Sequence, residues 1–515
     1  MRLFPRIGLQ NYQMNRNLLV VLLFIPLLFI DNRSSHDWGD DFAQYIHQAE
    51  NLVKGIPQSE TGFIYSEENY IGPRAYPPGF PVLLAPVYAL AGNKMIFFTS
   101  YISLFYLALA FLVLIFYRKH FSAAAAVVLS FILVYNPQLL IFKQEVMSDI
   151  PFTVFLIGAF LLYPRLKAGN FRHLILFSLL LTFILLIRSV GFVLLFALFA
   201  DQFLQILRAR KQSRLIEGKI LPLFPRLLPA LIMLLVPLIL YFAVNTLLFR
   251  IPSGGSLRDY LAFYYSGNFL ATIPPNLEQY VEVFRYSYIP AIGDFRFVAL
   301  ICGSVFQAMA LLGFIRKIMS KIEATDLFFI FYMLILLVFP NNYSAYRLLI
   351  PVGFILLYYA ALGFKSIKLP ATISEKKKVY WMGGVFLLLF APGLYHVTMS
   401  RTTMLDGPQQ KQAQQAFAHI SRNLPDSARI VFFKPRALAL YTGKQGIADP
   451  FAKDPNSIHL QLMDLGAQYI LVHKDLTSES MKRYVRVMKS RATEIWKNKE
   501  YRLLKINPPK PEEQY

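Results

Sequence analysis

A chain of 515 residues that is 56% hydrophobic, 15% aromatic and only 16% charged is too apolar for a soluble domain, in which about a quarter of residues carry charge. Its net charge of +22 does not point to nucleic acid, because most Lys and Arg lie in short loops between apolar runs, the pattern of cytoplasmic loops beside anionic headgroups. The single cysteine, Cys302, excludes an intramolecular disulfide and a metal site built on Cys.

The apolar runs are long and rich in Leu and Phe rather than alternating, so they predict helical spans and not barrel strands. About eleven spans are expected, at 17–30, 95–117, 123–142, 150–163, 174–187, 190–207, 227–249, 297–315, 327–339, 348–364 and 379–395. The first follows Arg2, Arg6 and Arg16 and reads as a retained span rather than a cleaved signal. Several runs fall short of the ~20 residues of a straight span, so flanking residues extend them or the helices tilt.

The loop 31–78 carries Asp37-Trp-Gly-Asp-Asp-Phe-Ala-Gln-Tyr45. Phe42, Tyr45, Ile46, Ala49, Leu52 and Val53 recur at helical spacing, and Gly55 is a natural stop. An amphipathic helix at the membrane surface is expected, starting at Asp40 or Asp41. Capping explains one aspartate, but not three acids with a Trp at the membrane face, where charge needs a partner or a use. A carboxylate in the first turn is kept ionised by the helix dipole and suits a general base. His36 and His47 read as polar surface rather than metal ligands. In Tyr76-Pro-Pro-Gly-Phe-Pro81 the prolines exclude helix and Gly79 permits a sharp turn, so the loop returns to the bilayer there. The apolar stretch 79–91 that follows reads as an interfacial or re-entrant helix. That turn brings Arg74 and Tyr76 toward the aspartates.

Farther along, Met147-Ser-Asp149-Ile-Pro151 opens a span, and Asp149 either caps it or orients a ligand. Arg188-Ser-Val-Gly191 joins two apolar runs, and Tyr346-Arg347-Leu-Leu-Ile-Pro351 opens a late one. The loop 250–296 holds Arg258, Tyr260, Tyr264, Tyr265 and Arg285; loops of that length are more often functional than idle. The basic loops 118–120, 165–173, 208–226, 316–321 and 365–378 fall on one side if the N-terminus is cytoplasmic. Loops 31–78 and 250–296 and the C-terminal part are then outside. Beyond 395 the chain reads as a helix at 409–423, strands at 428–433 and 469–473, a basic helix at 478–497 and a last strand at 501–506. The expected division is therefore a membrane domain over 1–395 and a small extracytoplasmic α/β domain over 396–515. Its lack of cysteine is compatible with a bacterial periplasm.

An acid after the first span, four residues before a Tyr on a juxtamembrane helix, followed by Tyr-Pro-Pro-Gly-Phe-Pro, resembles the GT-C glycosyltransferases. The nearest branch is that of the protein O-mannosyltransferases and lipid A aminoarabinose transferases (glycosyltransferase family 39-like). The motifs at Met147, Arg188 and Tyr346 are similar to those of bacterial members, and the resemblance covers roughly the first 365 residues. It implies an α-helical polytopic GT-C fold in the bacterial inner membrane. It also implies transfer of a hexose or pentose from a polyprenyl-phosphate donor, with inversion, to a lipid, glycan or protein acceptor. Matching on Tyr45 makes Asp41 the equivalent of the family's catalytic acid. The family usually has Asp-Glu where this chain has Asp40-Asp41 and then Phe42, which keeps Asp40 as the alternative. Arginine forks suit the leaving phosphate, and Arg74, Arg188, Arg258 and Arg347 are the candidates, with headgroup contact as the competing use. Tyr45, Tyr76, Asp149 and Tyr346 are expected at the substrate. No cofactor is called for, and a divalent metal is left open. The expected partners are the donor, the acceptor and membrane lipids, with no nucleic acid. Two rival readings are a lipid or sugar transporter, which would put ionisable groups in mid-span and often repeat its halves, and a non-catalytic envelope assembly protein.

Overall fold

The computed structural model describes residues 24–30, 33–166, 171–217, 224–249, 269–287, 296–339, 345–367 and 405–507, with isolated positions between 377 and 395. Contacts divide the chain into two compact units. The first is Met1–Asn32, Thr99–Tyr241 and Leu270–Thr402; the second is Arg33–Phe98, Phe242–Phe269 and Thr403–Tyr515.

The first unit is helical. Five helices among the described residues are long and apolar enough to cross a membrane: Met95–Arg118, Ser189–Ser213, Leu227–Leu247, Leu300–Ser320 and Tyr346–Lys365. Leu235, Ile239, Leu311 and Ile315 on these helices are exposed, as side chains solvated by lipid would be. Shorter apolar helices cover Ala123–Val134, Phe171–Ile187 and Ala324–Val338, and another covers Asp149–Leu162. The expected span at 123–142 is broken. Its first helix stops at Val134, and a second, Pro137–Phe142, begins where the Asn136 side chain accepts from the Gln138 and Leu139 amides. Pro137 removes a helical donor and pushes the residue before it out of the α region, so a new start is cheaper than continuity. Two long helices touch backbone to backbone. A Cβ on Gly313 would lie 1.8 Å from the Tyr359 carbonyl oxygen, and one on Gly363 would lie 2.0 Å from that of Met309; small residues permit such approach. The expected span at 17–30 lies largely outside the described residues, and so does the one at 379–395.

The second unit is built on a six-stranded sheet of order β1-β3-β2-β4-β6-β5. The strands are β1 (Phe63–Ile64), β2 (Arg429–Val431), β3 (Gln445–Ile447), β4 (Tyr469–His473), β5 (Ala492–Lys497) and β6 (Tyr501–Ile506). β1, β3, β2 and β4 run parallel, while β6 is antiparallel to β4 and β5 to β6. Val431, Ile447, Ile470, Val472 and Leu504 pack with Ile458, Leu462 and Met481 into one core. The expected strands at 428–433, 469–473 and 501–506 form. The helix expected over 478–497 stops at Val487, and its second half is β5. There Thr493, Ile495 and Trp496 favour a pleated surface, and Trp496 stacks on His419 at 5.0 Å. β1 comes from the 31–78 loop, so Arg33–Phe98 belongs to the compact unit of the C-terminal strands, whereas composition divides the chain at 395.

Candidate active site

The helix Asp41–Lys54 forms as its periodicity predicts. Phe42, Tyr45, Ile46 and Ala49 are buried, but so are Gln44, Gln48 and Asn51 on the polar side, while Val53 is exposed, and Gly55 closes the helix at φ 71°. Asp40 is the residue before the first turn, yet its side chain makes no bond within its own helix. Its Oδ1 instead accepts the Ala437 amide at 3.2 Å, in the first turn of the helix Pro435–Thr442. That helix follows β2 and so starts at the carboxyl edge of a parallel strand. Open α/β sheets receive ligands at such edges, and helix N-termini attract anions. A carboxylate of the chain itself occupies the position here.

Arg436, second in the same helix, is 1% exposed. Its Nη1 donates to Asp41 Oδ1 and to Tyr76 Oη, each at 3.2 Å, and its Nη2 donates to the Pro73 carbonyl at 2.9 Å. Its Nε stands 3.8 Å from Asp40 Oδ2. Gly72 makes room for it: φ there is +137°, and a Cβ would lie 2.6 Å from Nη2. Tyr76 Oη donates to Asp41 Oδ1 at 2.5 Å. The helix aims that tyrosine through its polar face. Gln48 accepts the Tyr76 amide at 3.0 Å and donates to its carbonyl at 2.9 Å. Gln44 donates to the Arg74 carbonyl at 2.5 Å. The Tyr76 ring lies 4.5 Å from that of Tyr45, which in turn meets Phe80 edge-on at 4.8 Å. The prolines end this segment as predicted, and a helix runs over Gly79–Ala91.

Burial pushes the Asp40 carboxyl up to about 6, against the opposing pull of Arg436, Lys434 and the Ala437 amide, and Asp41 adds to the rise. Both Asp40 Oδ2 and Arg436 Nε are buried without a hydrogen-bond partner. Burial and the neighbouring Asp41 carboxylate raise the Tyr76 phenol well above its ordinary value, so it stays a protonated donor. Burial works against the Arg436 charge, but Tyr76, Asp40 and Asp41 outweigh it and hold the guanidinium protonated.

In the first unit Asp149, 1% exposed, opens the helix Asp149–Leu162. Its Oδ1 accepts from Arg188 Nη1 and its Oδ2 accepts from Arg347 Nε at 2.9 Å. Two guanidiniums thus share one carboxylate. Tyr346, beside Arg347, stacks on Phe142 with ring centres 5.7 Å apart.

The structure thus joins Asp40, Asp41, Tyr45 and Tyr76 in one cluster, and Asp149, Arg188 and Arg347 in another. Arg74 does not join the first through its side chain, which is exposed and lies over the Tyr65 ring at 4.9 Å. Arg436 takes the place beside Asp41. Arg258, Tyr260, Tyr264 and Tyr265 lie outside the described residues. Trp38, expected at the membrane face, is 8% exposed and packs edge-on against Phe432 and Phe433 at 5.8 and 5.1 Å, its Nε1 donating to Asp406 at 3.0 Å. Its neighbours are the aromatic residues that follow β2, which offer it more apolar contact than an interface does. His36, expected on the polar surface, is instead buried at 2% exposure, because its ring stacks flat on Phe42 at 3.9 Å. The missed residue, Arg436, had one sequence signal. In Phe432-Phe-Lys-Pro-Arg436 a cation opens a helix, where the dipole disfavours it, and such a residue implies an anionic partner.

No protein-family model matches the chain, and no curated protein does. Solved structures do. The archaeal oligosaccharyltransferase AglB from Archaeoglobus fulgidus, in complex with an inhibitory peptide and a dolichol-phosphate, aligns over 93% of this chain and 71% of its own, with a TM-score of 0.56 and 13% identity. ArnT from Cupriavidus metallidurans, bound to undecaprenyl phosphate, aligns over 96% and 99%, with a TM-score of 0.55 and 13% identity. The Archaeoglobus fulgidus oligosaccharyltransferase in complex with Zn and sulfate aligns over 88% and 67%, with a TM-score of 0.54 and 14% identity. The chain has the GT-C fold of helical membrane proteins, as its motifs implied.

Proposed function

We propose that this chain is a membrane glycosyltransferase that moves a sugar from a polyprenyl-phosphate donor to an acceptor outside the cytoplasm, with Asp41 as general base. The observation that carries the reading is Asp41 itself. In a GT-C fold, it starts a helix with its side chain 24% exposed and held by a guanidinium and a phenol. The binding of dolichol-phosphate and of undecaprenyl phosphate by structures of the same fold supports a lipid-phosphate donor.

The chemistry needs little else. The acceptor hydroxyl oxygen attacks the anomeric carbon and the bond from that carbon to the phosphate oxygen breaks. The hydroxyl proton passes to Asp41, and the phosphate leaves with the bonding pair. A single displacement inverts the anomeric centre. A phosphate leaving group needs charge stabilisation more than a proton. Arginine forks suit that task, and Arg188 and Arg347 are the candidates, with headgroup contact as the competing use. The N-terminus would be cytoplasmic and the sheet periplasmic, in a bacterial inner membrane.

The test compares envelope glycolipids and glycoproteins by mass spectrometry in host cells with the chain, without it, and with Asp41→Asn or Asp40→Asn at matched membrane levels. A sugar modification that requires the chain and vanishes in Asp41→Asn supports the reading. A modification that persists in both variants removes the base assignment. A chain-dependent change in lipid distribution, without a new glycosidic bond, would favour the transporter.

A further inference from the structure

The sheet domain after residue 405 supplies no substrate group to the reaction as written, but it supplies Arg436. That side chain is buried, reaches Asp41, Tyr76 and the Pro73 carbonyl by hydrogen bonds, and has Gly72 fitted to it. On the same helix end, the Ala437 amide takes Asp40. The anion position of a parallel-sheet fold is thereby used to grip the two aspartates of the first loop.

We propose that Arg436 is a positioning residue for Asp41, with Tyr76 as the second arm, so that the C-terminal sheet domain completes the base instead of covering the site. The inference rests on the reading of Asp41 as the base. The guanidinium fork does two jobs at once. Nη1 holds the carboxylate and the phenol, while Nη2 anchors the 73–76 backbone that carries Tyr76. A lysine supplies the charge but not the fork. Among the described residues, the charged and titratable groups beside Asp41 include Arg436 from the sheet domain, Tyr76 from the first loop and the adjacent Asp40, with Lys434 acting on Asp40 and Tyr45 on Tyr76. Of these, Arg436 and Tyr76 favour its ionised form by direct hydrogen bonds, and Asp40 opposes it.

The experiment measures chain-dependent product formation against pH in membranes holding the full chain, with the host's own extracted lipids as donor source and rates normalised to the amount of chain. Arg436→Gln should move the acidic limb of the kcat/KM profile upward by about one pH unit or more, and Tyr76→Phe should move it the same way. Arg436→Lys should leave the limb near that of the unaltered chain while kcat falls about ten- to a hundredfold with KM little changed. A merely structural role would change how much folded chain is present, but not the limb or the KM-against-kcat split. If Arg436→Gln does not accumulate, the other two variants decide. Profiles and kcat values that match the unaltered chain in Tyr76→Phe and Arg436→Lys overturn the proposal. If Asp41→Asn still abolishes product in that case, the reading of the base stands and only the positioning role falls. Full product in Asp41→Asn overturns both.

Discussion

Asp40 and Asp41 are adjacent in sequence and differ in their surroundings. Asp41 has a quarter of its side chain exposed and receives two strong donors. Asp40 is 11% exposed, spends one oxygen on a helix N-terminus and leaves the other buried without a donor. Its ionisation is pushed up to about 6, above the ~3.9 of an unfolded chain. Protonated Asp40 therefore favours the folded state. That contribution is complete below about 4 and is lost as pH rises through about 6. The difference in melting temperature between the native chain and Asp40→Asn, taken in detergent, should accordingly depend on pH between 4 and 7, with the native chain losing ground as pH rises. Parallel curves would show that Asp40 ionises as it does in water.

At the scale of elements, the two units are held by different devices. In the helical unit the contact of Gly313 with Tyr359 and of Gly363 with Met309 leaves no room for a methyl group. Gly363→Ala should destabilise by about 1–3 kcal/mol, read as earlier thermal aggregation in detergent, and an unchanged transition would mean that the helices can part freely. In the sheet unit, Trp38 of the first loop packs against Phe432 and Phe433 just after β2. Trp38→Ala should cost about 3–5 kcal/mol and make 405–507 protease-sensitive; equal digestion rates would contradict this. The Asp149 group makes a functional prediction. Losing one charge-assisted hydrogen bond to a phosphate costs about 1.5–3 kcal/mol. If the chain takes a polyprenyl-phosphate donor as proposed, Arg347→Gln should therefore weaken binding of a polyprenyl phosphate probe by about tenfold or more, as titrated in nanodiscs. Unchanged binding would assign the group to headgroups or to packing.

At the scale of the whole molecule, what was legible in the sequence followed the range of the interactions involved. Hydropathy marked the helices because lipid solvation acts residue by residue. The heptad-like spacing from Phe42 to Val53 and Gly55 set the surface helix, and Tyr-Pro-Pro-Gly set the turn after it. Asp41, Tyr45 and Tyr76 could be placed together because one helix and one turn bring them there. Arg436 could not, since its partner Asp41 lies 395 residues away and pairing at that distance leaves no periodic trace. For the same reason β1 was missed; two residues become a strand only because β3 lies beside them. The break at Asn136-Pro137 and the strand at Ala492–Lys497 were local signals overruled by, or hidden within, a longer pattern of the wrong type.

Whether Asp41 takes a proton in sugar transfer is decided by the transfer rate of Asp41→Asn in membranes at matched levels of folded chain. A loss of about a hundredfold or more is expected, with the affinity for a polyprenyl phosphate probe unchanged from that of the unaltered chain. A rate within a few fold of the unaltered chain would contradict that role.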